Sequence, residues 1–263
     1  TDQLAAALLT ACLALHGEMA ALRPGVRNLT AYYLTLSAGG AFGGAFVALG
    51  APLLYRSYSE YHLSLALAWL LLFTLVTREN GRRRWALLTI LGAPALLGTT
   101  LFLDRVGQVG HALEAWRNFH GVLQMVPGED GAGRPYRELR HGRTSHGLQY
   151  EDPALQDWPT TYYGEESGVG LAFRWHPDRT RELSVGAIGL GVGTIASYGR
   201  PGDRIRFYEL DPLVIEIASE RFTYLRRSKA KIEILPGGPE VDGMALLESG
   251  AADIAVTNTD FVA

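Results

Sequence analysis

Leu183-Ser-Val-Gly-Ala-Ile-Gly-Leu-Gly-Val-Gly-Thr-Ile-Ala-Ser-Tyr-Gly-Arg-Pro-Gly-Asp-Arg-Ile-Arg-Phe-Tyr-Glu-Leu-Asp211 is the stretch on which the fold turns. Leu183–Leu190 is an apolar run suited to a buried strand, and Arg204–Leu210 reads as a second. Between them Gly191–Ser197 opens a helix. Gly189, Gly191 and Gly193 fall where the first strand turns into that helix. Glycine there permits a tight turn and close backbone approach, and the helix start leaves amide donors free. Glu209 ends the second strand, 16 residues after Gly193. Downstream, Pro212–Leu225 has a helical pattern, Lys231–Leu235 is a third strand, Val241–Glu248 a further helix and Asp253–Thr257 a fourth strand. Strands alternating with helices imply a parallel sheet covered on both faces.

The glycine spacing is Gly-x-Gly-x-Gly, which differs from the Gly-x-Gly-x-x-Gly that seats a dinucleotide pyrophosphate on a helix N-terminus. A carboxylate at the tip of the second strand can accept from both hydroxyls of a ribose. The pair of features points to an adenosine ligand without a required pyrophosphate, such as S-adenosylmethionine or a derivative. Upstream of this sheet the pattern changes. Residues 111–117 read as a short helix. Gly121–Val126, Tyr136–His141 and Leu148–Tyr150 read as short strands separated by glycine-rich turns, which suggests a small antiparallel β unit.

The chain has 263 residues, 24 basic and 27 acidic, for a formal net charge of −3. That balance gives no reason to expect nucleic acid as a partner. A lone cysteine, Cys12, excludes an intrachain disulfide and a cysteine-based zinc site, and the seven histidines show no metal-ligand spacing, so no metal is expected. Charge is unevenly spread: residues 1–103 hold 7 of the basic and 4 of the acidic side chains. Four apolar stretches lie there, Leu4–Leu22, Leu29–Tyr55, Tyr61–Val76 and Trp85–Leu103. A bilayer core about 30 Å thick needs about 20 helical residues. The second and fourth stretches meet that length, and the first and third are marginal. Gly39, Gly40, Gly43 and Gly44 recur at helical spacing, which would let another helix approach closely. His16 and Glu18 lie in or at the end of an apolar helix. They read either as intramembrane ionisable groups that carry an ion or as a helix end at the headgroups.

The run Val185–Pro212 resembles the spermidine synthase family, and more closely the bacterial membrane proteins that fuse a transporter-like helical region to a spermidine-synthase-like domain. Leu29–Gly40, continuing to Ala51-Pro52, resembles the fused helical region. His146-Gly-Leu-Gln149 resembles the approach to that family's active site, and Pro159-Thr-Thr-Tyr-Tyr163 with Ser167-Gly168 its substrate-side loop. The resemblance implies N-terminal transmembrane α-helices, a small antiparallel β unit and then an α/β, methyltransferase-like (Rossmann-like) parallel sheet. The corresponding divisions are residues 1–104, 105–150 and 151–263. It implies decarboxylated S-adenosylmethionine as aminopropyl donor and a polyamine such as putrescine as acceptor. Gly189, Gly191 and Gly193 would line the donor, Glu209 with Asp211 would hold its nucleoside, and Gln149 would touch its aminopropyl tail. Tyr163 or Tyr162 would face the acceptor amine. His146 is either a ligand contact or a turn-capping imidazole. A homodimer is a further expectation. The same pocket could instead serve methyl transfer from S-adenosylmethionine.

The chain departs from the family at three places. Where an aspartate follows strand four in the family, this chain has Asn258, with Asp260 two residues on as a substitute. An amide cannot take a proton from an amine at neutral pH, though it can orient one. Where a Gly-Asp pair follows strand three, this chain reads Pro236-Gly-Gly-Pro239, with Asp242 the nearest acid. The sheet needs about three further strands to resemble the family's, so either the natural chain continues past residue 263 or a partner covers the open edge, and Thr1 suggests a fragment at the start. Sidedness is the last expectation. With all four stretches spanning, the arginines at 23 and 27 and those at 78 and 82–84 share one side, which the positive-inside rule makes cytoplasmic. Donor and acceptor are cytosolic metabolites, however. They place the globular part in the cytoplasm at a bacterial inner membrane, with one stretch not spanning or a spanning segment absent from this sequence.

Overall fold

The computed structural model of the chain describes residues 2–79, 112–142, 144–237 and 241–257. The fourth apolar stretch, Trp85–Leu103, and both Asn258 and Asp260 lie outside the described residues. The chain divides into two compact units. One comprises Thr1–His111 with Ala115–Val122, and the other Ala112–Glu114 with Leu123–Ala263.

The first unit is helical. Helix α1 (Asp2–Ala21) is followed by a short 3-10 turn and α2 (Leu29–Ala45), a π-helical turn at Phe46–Gly50, α3 (Ala51–Leu54) and α4 (Ser59–Glu79). The π turn has a cause in the sequence. Pro52 cannot donate a backbone hydrogen bond, and its ring crowds the carbonyl four residues back. The helix widens there, and the Ala51 N–H reaches the Phe46 carbonyl. Val26–Leu54 thus runs as one helix of 29 residues, long and apolar enough to cross a membrane by length and composition, with 6% of its apolar window buried inside the protein. The apolar part of α1, Leu8–Ala21, is shorter. A Cβ built on Gly39, Gly40, Gly43 or Gly44 meets nothing within 4 Å, so no described helix packs against that face as the glycine spacing predicts.

Helix α1 packs beside α4, and the Tyr32 hydroxyl donates to the Met19 carbonyl. The other fixed point of this unit is ionic. Arg117 donates through its two terminal nitrogens to Glu60, at 2.9 and 2.6 Å, and also to the Ser57 carbonyl. Both side chains are nearly sealed from solvent, at 5% and 6% exposure. The guanidinium lies 5.0 Å over the Tyr58 ring. Bidentate geometry and a shared aromatic face compensate much of the cost of desolvating the charges.

The second unit holds most of a four-stranded antiparallel sheet in the order β1 (Glu114–Asn118), β2 (Gly121–Glu129), β3 (Pro135–His141), β4 (Thr144–Tyr150). The helix expected over residues 111–117 is instead the strand β1. Its side chains are all half-buried, so pairing decides its conformation over local propensity. Leu139, Leu123 and Met125 form the sheet's buried side. Helix α5 (Gly168–Trp175) follows, with the Ser167 hydroxyl accepting from the Gly170 N–H. Sequence patterning did not mark this helix, because it is only two turns long.

A separate parallel sheet contains β5 (Ser184–Ile188), β6 (Arg204–Glu209), β7 (Lys231–Pro236) and β8 (Ile254–Val256), in the order β7-β6-β5-β8. Helices α6 (Pro212–Arg221), α7 (Tyr224–Arg227) and α8 (Gly243–Glu248) connect the later strands. The segment after the glycines is a 3-10 helix, Thr194–Tyr198, and not an α-helix. The predicted helix Pro212–Leu225 breaks at Phe222, whose backbone is extended and whose ring is fully buried. Burying that ring outweighs one more helical turn. Two carboxylates pin the start of β5. Asp203 accepts from the Leu183 N–H at 2.9 Å, and Asp253 accepts from the Ser184 N–H at 2.8 Å. They come from the loops that lead into β6 and β8, the two neighbours of β5 in the sheet.

The β7 edge carries a titratable cluster. Glu233 meets Lys231 at 2.8 Å, Arg206 at 2.9 Å and Arg204 at 3.5 Å. The Lys231 ammonium and then the Arg206 guanidinium hold its carboxyl down at about 2. A folded-state value below the unfolded one stabilises the fold above the unfolded value, about 4.3, and that contribution is lost as pH falls through the folded value. Melting temperatures of the native chain and of Glu233→Gln should therefore differ at neutral pH and converge as pH falls towards about 2. A gap that stays constant across that range would show that the cluster has no linkage to stability.

Candidate functional site

Strand order reverses at β5, with β6 on one side and β8 on the other. In open parallel sheets that reversal leaves a crevice beyond the C-terminal strand ends. The turn after β5 and the tip of β6 both lie there, and a single side chain joins them. Glu209 accepts from the Leu190 N–H at 2.9 Å through one carboxylate oxygen, and from the Asp211 N–H at 2.9 Å through the other. It is half-buried and does not point into a packed interior. A carboxylate offers about four lone-pair sites, so two remain for outside donors. Asp211 does a different job. Its side chain accepts from the Leu213 N–H at 2.9 Å and caps α6.

The three glycines serve three purposes. All have positive φ, at 90°, 55° and 84° for Gly189, Gly191 and Gly193. A Cβ on Gly189 meets nothing within 4 Å, so this residue faces open space. On Gly191 it would stand 2.6 Å from the His146 carbonyl oxygen, and on Gly193 2.9 Å from Leu225. Gly191 therefore admits the β4 backbone: the neighbouring Val192 N–H donates to the same His146 carbonyl at 3.3 Å. Gly147 of β4 is matched to this, since a Cβ there would meet the Val192 side chain at 2.5 Å. Only Gly189, of the three, is placed to face a ligand directly.

The residues carried over from strand β4 and its following loop are placed as follows. Gln149 is 1% exposed. Its amide nitrogen donates to the Gln156 carbonyl at 2.9 Å and the Thr223 hydroxyl at 2.7 Å, and its oxygen accepts from the Thr223 N–H at 3.1 Å. All these bonds are internal, and they tie β4 to the chain after α6. The His146 ring lies 5.6 Å from the His141 ring, and burial, then the charge of His141, pushes its pKa down. It is held neutral more readily than a free imidazole. Tyr162 is exposed and Tyr163 half-buried, with ring centroids 4.4 Å apart. Burial, then Tyr162, raises the Tyr163 hydroxyl, which stays protonated and can only hydrogen-bond at neutral pH. Its backbone carbonyl accepts from the Tyr198 hydroxyl at 2.5 Å, which ties this turn to the end of the 3-10 helix. Asp242 is committed as the cap of α8, accepting from the Met244 and Ala245 amides.

Sequence reasoning missed Tyr224. Its hydroxyl, fully buried, lies 3.1 Å from the Leu148 carbonyl and 2.9 Å from that of Trp158, so it braces β4 and the loop behind it. Read as part of a continuous helix it looks like filler. The break at Phe222 is what aims it inward. A cleft of about 310 Å³ lies at the other edge of the sheet, between the loops that lead into β6 and β7. Of its charged lining, Arg227 pairs with Asp157, and Arg200 with the nearby Asp203; Lys229 also lines it. Among the described residues no group of three or more His, Cys, Asp or Glu side chains is placed to hold a metal ion. No protein-family model matches the chain, and neither a curated protein nor a solved structure matches it.

The different roles of the glycines predict different costs. Gly191→Ala drives a Cβ into backbone, at 2.6 Å, and should destabilise the fold by about 1–3 kcal/mol on top of the strain of positive φ. Gly189→Ala carries only that strain, roughly 1 kcal/mol. Urea midpoints of the two variants measure the gap, and equal midpoints would contradict the close approach of β4.

Proposed function

We propose that this chain is a membrane-anchored enzyme of the spermidine-synthase-like type, whose parallel sheet is a methyltransferase-like (Rossmann-like) nucleoside-binding domain. It would transfer an aminopropyl group from decarboxylated S-adenosylmethionine to a polyamine such as putrescine. The observation that carries the reading is Glu209, placed beside the open face of Gly189 at the strand-order reversal. Two carboxylate lone pairs left after the Leu190 and Asp211 amides match the two hydroxyls of one ribose. In the reaction a neutral amine attacks the methylene beside the sulfonium. A carbon–nitrogen bond forms, the carbon–sulfur bond breaks, the thioether nucleoside leaves, and the amine gives up a proton. Alignment and proton removal are the protein's tasks. Tyr163 is a hydrogen-bonding group for the acceptor on this reading, and Asp260 the acid nearest in sequence to the place of the missing base. The helix Val26–Leu54 anchors the chain in a bacterial inner membrane, with the globular part on the cytoplasmic face, where both metabolites are made.

A second reading is favoured by two residues: Asn258 stands where the family has an acid, and Asp242 is occupied as a helix cap. On that reading the chain binds the nucleoside and regulates a membrane transport partner without turnover. Calorimetry of the full chain in detergent separates the possibilities. The native protein should bind decarboxylated S-adenosylmethionine more tightly than the carboxylated form. Glu209→Gln should weaken it by about tenfold or more, the worth of one charge-assisted hydrogen bond. A tenfold preference for the carboxylated form would indicate methyl transfer instead. No binding of either nucleotide would refute the nucleoside site. Turnover that appears only in Asn258→Asp would identify the native chain as the binding module.

A further inference from the structure

The tip of the β1–β2 hairpin, residues 115–122, belongs to the helical unit and not to the unit that contains the rest of its sheet. Among the described residues it is attached there through Arg117, whose partners all lie within six residues of Leu54, where the apolar helix ends: Ser57, Tyr58 and Glu60. Two residues beyond Arg117 stands Phe119, 80% exposed, with its ring edge-on to His120 at 5.7 Å. A hairpin tip is a place for polar turn residues, and a fully presented phenyl ring there is costly in water. Tyr58, 49% exposed and four residues after Leu54, supplies a second aromatic face beside the Arg117 guanidinium. Aromatic rings at the end of an apolar span, next to a sealed ion pair, match the aromatic belt at a membrane–water boundary.

We infer that the hairpin tip is a membrane-surface anchor: the Arg117–Glu60 pair fixes residues 115–122 at the bilayer face where the Val26–Leu54 helix ends, and Phe119 inserts among the lipid headgroups there. The partner is the lipid surface itself. The inference rests on the membrane-spanning reading of Val26–Leu54, and it carries a consequence for topology. Leu54 and the hairpin tip lie on one face of the membrane, and Arg23 and Arg27, at the other end of that helix, lie on the opposite face.

The test uses the full chain carrying Cys12→Ser, reconstituted in vesicles of phosphatidylethanolamine and phosphatidylglycerol. A polarity-sensitive fluorophore is attached at Phe119→Cys or, separately, at Val47→Cys within the apolar helix. Quenching by nitroxide-bearing lipid is compared with quenching by aqueous iodide. Lipid quenching at both positions is expected, with the label at 119 losing about half or more of it when Glu60→Gln removes the charge that holds Arg117. Lipid quenching at 47 with only iodide quenching at 119 would overturn the anchor and leave the spanning helix intact. Absence of lipid quenching at both positions would overturn the spanning reading itself. Lipid quenching at 119 that Glu60→Gln leaves unchanged would show that the ion pair does not set the tip's position.

Discussion

The Glu209 carboxylate binds two backbone amides that belong to different loops, and the C-terminal edge of β5 and β6 is organised around that bridge. One amide, from Leu190, lies in the turn after β5, and the other, from Asp211, opens α6. Without a negative acceptor between them, both N–H groups would need water or another partner at a half-buried site. The turn is held at the height of the β6 tip for this reason, and Gly189 is left facing open space. A bound ribose would add to the bridge without replacing it, because each oxygen keeps acceptor capacity. On the proposed reading the same residue would support the local fold and supply recognition, so a simple loss of binding on its substitution needs a stability measurement beside it.

The second constraint is steric. Gly147 and Gly191 let strand β4 and the glycine turn meet backbone to backbone, and the Val192 amide closes the contact on the His146 carbonyl. The small antiparallel sheet therefore does more than precede the parallel one. Gln149 and Tyr224 extend the junction with internal hydrogen bonds on either side of it. Residues whose spacing resembles a ligand-contacting motif here join β4 to the glycine turn and to the chain around Tyr224. Whether a given residue is committed internally or faces open space depends on which way a side chain turns, and one-dimensional spacing does not carry that information.

The strand–helix alternation from Leu183 to Thr257 was legible because apolar runs of strand length alternate with helical periods, and the parallel sheet follows from them. The tip position of Glu209 was legible for the same reason, since the length of β6 sets it. Three elements were not. Residues 111–117 carry Ala, Leu and Glu, good helix formers, yet β1 forms because a neighbouring strand can take its backbone bonds. The break of the long helix at Phe222 depends on a cavity for the ring that only the folded molecule provides. The bidentate grip of Arg117 on Glu60 joins residues far apart in the chain, and nothing in either local sequence announces it.

That ion pair bears on a conflict the sequence leaves standing. Arginine counts favour a cytoplasmic location for the loops at 23–27 and 78–84, whereas cytosolic substrates favour a cytoplasmic location for the globular part. Arg117 cannot be paired with Glu60 and also be separated from it by a bilayer. On the membrane-spanning reading, residues 115–122 and the end of the Val26–Leu54 helix would share a face, with Arg23 and Arg27 on the other. Between Val122 and residue 263 there is no apolar run long enough to cross again. On that reading the chain after the hairpin would lie on the face to which Arg117 is bound; if Tyr61–Val76 and Trp85–Leu103 do not span, the arginines at 78 and 82–84 would share that face and only Arg23 and Arg27 would oppose the rule. The arginine rule is a bias summed over several loops, whereas a transferase needs its substrates in the same compartment. On the proposed transferase reading, the requirement for substrate is the stronger constraint.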